Sequence, residues 1–387
     1  MEKGIDMIKT VLFDVDGVLL SEERYFDASA LTVWEILNSS NYLGLAPEKH
    51  KTDFTDEEVD HIRAKVFEQD RVLEYLKSCG LNANWDMIYL TVGYQLIRLL
   101  EQVKETEKLN IEKWVTNEMD RSVLQEIATA LTGKNIALDF AALLTDFELA
   151  EASKAGLFAH LDRLAQERLG VHATVFGKKG ELWSTCEHVS QEWYVGDRYV
   201  LASTGRPSVQ TGKKGFLTDE KILADSQEIS TLFTTLKENG VTIGIGTGRP
   251  ELETIEPFKY LNWLEHFDVK NIVTADDVLA AEREFPEAPA LAKPHPYTYV
   301  LALSSKKKTA TECIKEAMPV PNGKETMIVG DSLADLLAAQ EMGCTFVAVL
   351  TGLSGKDARS EFEKRKVEYI LDSVLDVKEL VLSLNKE

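Results

Sequence analysis

The chain has 387 residues, 44% of them hydrophobic, which is enough for two domains or for one domain with a large insertion. Its net charge of −21 excludes a protein that wraps a nucleic-acid backbone, and no apolar run approaches membrane-spanning length. An anionic small substrate stays compatible with that charge where a metal ion or a few placed lysines reverse the sign locally.

At the N-terminus, MEKGIDMIKT has no apolar segment behind a basic one, so no secretory signal is expected. Ile8 to Phe13 is an apolar run that fits a buried strand, and it leads straight into Asp14-Val15-Asp16-Gly17. Two carboxylates so close repel each other, so a fold keeps them solvated or gives them a cation. From residue 21 the pattern turns helical. Val59, Ile62, Val66, Leu73 and Leu76, then Ile88, Val92, Leu96, Leu99 and Val103, recur at helical spacing. Further helices are expected near 26–38, 121–131, 139–150 and 157–169. From about 170 to 225 the segment reads as irregular and glycine-rich. Lys178, Lys179, Lys213, Lys214 and Arg206 are expected to be solvated turn residues there, and His160, His172 and His188 share no metal-ligand spacing. The echoes GKKG (177–180, 212–215) and TGRP (204–207, 247–250) do not extend into their flanks and read as turn chemistry, not duplication.

From residue 226 strands and helices alternate. SQEISTLFTTLKENG reads as a helix ending at Gly240. Apolar runs at 241–246, 271–274, 326–330 and 344–350 read as strands. Alternation of this kind predicts an α/β fold, a Rossmann-like parallel sheet covered by helices on both faces. The strand at 8–13 belongs to that sheet. The expected organisation is a core at 1–20 and 226–387 interrupted by a mostly helical insertion at 21–225.

Ligands of such sheets bind beyond the carboxyl ends of the strands. Asp14 and Asp16 follow the first strand, Thr247-Gly248-Arg249 the second, and Gly330-Asp331-Ser332-Leu333-Ala334-Asp335 a later one. Lys293 lies in AKPHP ahead of that later strand. The carboxylates that follow these strands, a hydroxyl and a lysine thus converge on one edge. A calcium loop starting at Asp14 fails, because its sixth and twelfth positions are Leu19 and Tyr25, not Gly and Glu. Thr204 rivals Thr247, since YVLASTGRP also reads as strand then T-G-R-P. Thr247 is favoured because the glycines of VTIGIGTG allow the backbone close to an anion. Arg249 is expected to bond local backbone or carboxylates.

In this order the four motifs resemble the haloacid dehalogenase-like (HAD) superfamily of hydrolases, with a phosphoglycolate-phosphatase-like core over roughly 8–20 and 226–375. The resemblance implies a phosphatase in which Asp14 is the nucleophile and Asp16 the general acid and base. Thr247, Gly248 and Lys293 would bind the phosphoryl group. Mg2+ would be held by Asp14, Asp331 and the backbone carbonyl of Asp16, with Asp335 orienting neighbours from behind. An insertion between the first and second motifs is where this superfamily places a helical cap carrying specificity, and here it is unusually large. Asp16 argues against dehalogenation, which needs no leaving-group acid. Phosphomutase or phosphonatase chemistry, and a non-catalytic protein using the cap as a partner surface, are the alternatives. The expected partner is a small phosphorylated substrate, with neither nucleic acid nor membrane. Cys79, Cys186, Cys313 and Cys344 have no paired spacing for zinc or redox work and fit a reducing cytoplasm.

Overall fold

A computed structural model describes residues 7–81, 83–177 and 179–386; Lys178 lies outside the described residues. The chain divides into two units, one formed by the residues through Glu22 with those from Leu217 onward, the other by Glu23–Phe216.

The first unit is built on a six-stranded, wholly parallel sheet in the order β3-β2-β1-β4-β5-β6. Its strands are β1 (Thr10–Phe13), β2 (Thr242–Gly246), β3 (Ile272–Val273), β4 (Thr326–Gly330), β5 (Thr345–Val349) and β6 (Tyr369–Leu371). The two-residue period of a strand sends neighbouring side chains to opposite faces. Val11, Phe13, Ile245, Val329 and Val347 pack on one side with Phe233 and Val381. Leu12, Val273, Ile328 and Ala348 pack on the other with Tyr299 and Leu336. Both faces are therefore covered by helices, which is why these strands read as continuous apolar runs. β6 was not anticipated; it is three half-buried residues at the sheet edge, too short for a pattern to single out. The helix Ser226–Glu238 is capped by the Asp225 carboxylate and followed by Gly240 at φ +76°, the left-handed position expected for a helix-ending glycine.

The second unit is helical. At its centre runs Glu23–Asn38, buried on almost every side. Its charged residues are tolerated there because each has a partner. Arg24 pairs with Asp27 and Asp56, and Arg63 pairs with Asp27 and Asp70. Around it lie Asp56–Val66, Asn84–Thr116 and Glu181–Thr204, and Lys154–Leu169 packs on Asn84–Thr116. Glu181–Thr204, the last of these in chain order, corrects the expectation of irregular chain from 170 to 225. The helix is interrupted at Gly196 (φ +73°), where the backbone of Lys214 passes so close that a side chain would clash. Thr204 is the last residue of this helix and follows no strand, so the rival T-G-R-P has no sheet edge to serve.

Lys213 also departs from the expected solvated turn. Its ammonium is fully buried between Glu35 (2.8 Å) and Glu192, and His188 sits 3.2 Å from Glu192. Lys179 is half-exposed, 3.0 Å from the buried Asp86 carboxylate and stacked over the Trp183 ring. Lys214 and Arg206 are exposed as anticipated. Burial pushes the Cys186 thiol far above its ordinary value, which makes it inert as a nucleophile.

Candidate active site

β1, β2 and β4 are neighbours, and each ends one residue before a polar side chain: Asp14, Thr247 and Asp331. The chain order and the spatial order diverge at β1, since β2 lies on one side of it and β4 on the other, and such a switch point is where open α/β sheets bind ligands. Buried apolar strands thus end in a polar cluster because their terminal residues emerge from the sheet together.

The Asp14 backbone N–H donates to the carbonyl of Val329, which ties the turn after β1 to β4. Its carboxylate accepts from the Val15 N–H (2.8 Å) and lies 2.8 Å from Lys293 Nζ. Lys293 reaches in the other direction to Asp335 Oδ1 (2.7 Å) and donates to the Gly246 carbonyl at the end of β2 (3.2 Å). Asp335 is fully buried and saturated: Tyr299 Oη donates to Oδ1 (2.7 Å) and Ser332 Oγ to Oδ2 (2.6 Å). Carboxylate oxygens of Asp14, Asp331 and Asp335 all lie within 4.8 Å of one another.

These carboxylates are electrostatically unlike. Burial pushes Asp14 up to about 7, against the pull of Lys293, and pushes Asp331 well above the carboxylate range, with Asp335 and Asp14 adding to it. Asp335 is buried as well, yet Lys293 and the bonds from Ser332 and Tyr299 hold it below its ordinary value. Lys293 stays charged despite burial because Asp14 and Asp335 flank it.

The Asp16 side chain turns to a different cation. Arg249, itself buried, donates from Nε to Asp16 Oδ1 at 2.7 Å, and its Nη2 lies 2.7 Å from the same oxygen. Burial raises Asp16 to about 6, and Arg249 opposes that shift. Thr247 is buried, and its Oγ1 accepts the Arg249 backbone N–H (3.1 Å) in the turn after β2. Gly248 has open space where a side chain would stand. The other glycines of this run do not serve an anion: Gly244 makes room for Asn271, and Gly246 for the Tyr299 ring, 2.6 Å from where a Cβ would be.

Asp331 stands in a cradle of two glycines. A Cβ on Gly17 would lie 2.2 Å from its Oδ2, and one on Gly352 would lie 1.9 Å from it. An all-carboxylate donor set, two of whose members are disfavoured as anions without a cation, fits an oxygen-preferring divalent metal ion. Tyr299 and Glu220 were not singled out in the sequence. Tyr299 comes six residues after Lys293, in the helix Tyr297–Leu303 that follows KPHP, and could have been found as a polar-tipped aromatic there.

A HAD-hydrolase-like family model matches residues 290–377. A pyrophosphatase PpaX from Bacillus mycoides is 31% identical over 163 residues, covering 41% of this chain and 62% of its own length. One from Bacillus cereus is 29% identical over 164 residues with the same shares, so the chain spans less than two thirds of these relatives. An X-ray structure solved as Northeast Structural Genomics Consortium target ZR25 is 38% identical, covers 98% of this chain and 100% of its own, and superposes with a TM-score of 0.91. With the parallel sheet, three motifs at its strand ends, Lys293 beside Asp14 and these similarities in hand, the chain belongs to the haloacid dehalogenase-like superfamily of hydrolases.

Proposed function

We propose that this protein is a Mg2+-dependent phosphatase of a small phosphorylated metabolite, working through an aspartyl-phosphate on Asp14. The observation that carries this reading is the contrast between two carboxylates in one turn: Asp14 faces Lys293 and the Asp331 cluster, whereas Asp16 is held by Arg249. Unlike surroundings for neighbouring carboxylates suit a nucleophile and an acid/base.

Asp14 attacks phosphorus while the bond to the leaving oxygen breaks, and Asp16 gives its proton to that oxygen. Water then attacks the aspartyl-phosphate while Asp16, now a carboxylate, takes the water proton; phosphate departs and Asp14 is restored. Lys293, Thr247 and the backbone of Gly248 hold the phosphoryl oxygens. Asp14, Asp331 and the Asp16 backbone carbonyl would hold Mg2+, which supplies charge neutralisation for phosphoryl oxygens and Asp14. Asp335, already saturated, serves as the anchor of Lys293. The helical unit is assigned the selection of substrate.

The test is phosphate release from a panel of sugar phosphates, phosphoglycolate and, given the names of the relatives, inorganic pyrophosphate, with Mg2+ or chelator and with Asp14→Asn alongside. Release from one compound class, lost with the chelator and with the substitution, is the expected result. Silence across the panel from a folded protein that binds Mg2+ would overturn the phosphatase reading.

A further inference from the structure

We propose that Arg249, itself held by Glu220 and the turn after β2, is a positioning residue for leaving-group proton transfer that sets the Asp16 carboxylate in place. The inference rests on the phosphatase reading and names a part that it leaves out. Arg249 is 1% exposed, one of the largest fully buried side chains among the described residues. Its Nε and Nη2 converge on Asp16 Oδ1, while Nη1 donates to Glu220 Oε1 (2.7 Å) and to the Glu253 carbonyl (3.2 Å). Burying a guanidinium is expensive, and a hydrophobic side chain of the same volume would serve the fold as well or better. What the charge provides here is orientation: a planar fork pinned at one end fixes the other.

The surroundings pin it. The Arg249 carbonyl accepts the Ala275 N–H beyond β3, and its N–H donates to Thr247 Oγ1. Glu220 lies on a segment tied to the turn after β1, through Ser21 N–H to the Lys221 carbonyl and Leu223 N–H to the Leu19 carbonyl. Asp16, by contrast, keeps 29% of its side-chain surface accessible, so the gripped carboxylate can still be reached. One residue thereby sets the acid relative to the phosphoryl-binding hydroxyl of Thr247.

The experiment compares an alkyl phosphate, whose leaving oxygen needs a proton, with p-nitrophenyl phosphate, whose leaving group does not. Arg249→Lys keeps the buried charge and loses the fork; Arg249→Gln is the second variant. Both should lose kcat on the alkyl phosphate by about 100-fold, with KM unchanged and the aryl rate largely kept. Adding Arg249→Gln to Asp16→Asn should cost nothing further on the alkyl phosphate. Equal losses on both substrates, a rise in KM alone, or multiplying losses in the double variant would overturn the inference while leaving the phosphatase reading intact. No turnover of either substrate by the unaltered protein would sink both.

Discussion

The Asp331 carboxylate occupies the space that a side chain on Gly17 would fill. Gly17 has φ +71°, and its absent Cβ would lie 2.2 Å from Asp331 Oδ2. Gly17→Ala therefore carries a left-handed strain and displaces the carboxylate. Gly352→Ala displaces it by sterics alone, at 1.9 Å. Both variants should lose Mg2+ affinity by roughly tenfold or more, as disturbing the neighbours of a metal ligand does. Titration calorimetry with Mg2+ checks this, and unchanged affinity in both would remove Asp331 from the ligand set.

Lys293 is the cation between Asp14 and Asp335, and removing it strands buried carboxylates. In metal-free protein, Lys293→Met should destabilise the sheet unit by roughly 3–5 kcal/mol. Adding Asp335→Asn should recover part of that loss, because one of the stranded charges is gone, without restoring activity. Denaturant melts of the single and double variants measure it; additive losses would show that the lysine does not screen Asp335.

The buried cluster of the helical unit makes stability depend on pH. Burial raises Glu35 from an ordinary 4.5 to about 7, against the pull of Lys213. A carboxyl whose pKa is higher in the folded state binds its proton more tightly there. Its contribution is fully present below about 4.5 and is lost as pH rises through about 7. Glu35→Gln, which carries no titrating proton, should therefore gain on the unaltered protein between pH 5 and pH 8, by at most about 3 kcal/mol. Melts at the two pH values decide it. A constant difference would mean that Glu35 is ionised throughout, sharing Lys213 with Glu192.

Tyr299 offers a smaller effect. Its hydroxyl is one of three donors on Asp335, and its ring lies against Gly246. Tyr299→Phe keeps the ring packing and removes one bond to a charged acceptor, so stability should fall by about 1.5–3 kcal/mol. A thermal melt of that variant tests it, and an unshifted midpoint would mean that Lys293 and Ser332 satisfy Asp335 on their own.

The strand ends were legible because their signals are local. The apolar runs at Ile8–Phe13 and 326–330 report burial on both faces, and the residue after each run is by geometry at the sheet edge. That is how Asp14, Thr247 and Asp331 could be placed together before any coordinates. The stretch Tyr199–Ala202 was misread for a local reason too: a short apolar run does not distinguish strand from helix without knowing what covers it. Here it closes the long helix ending at Thr204.

By itself, then, the sequence determined the alternation of strand and helix, the insertion that interrupts it, and which carboxylates follow which strands. These depend on hydrophobic period and on order along the chain. Only the tertiary structure decided the partners. Lys213 in a glycine-flanked turn looks solvated until Glu35, 178 positions away, is folded against it, and Asp16 meets Arg249 across 233 positions because β1 and β2 lie side by side. Local pattern reports whether a residue is buried; which charge it is buried against depends on how distant segments pack.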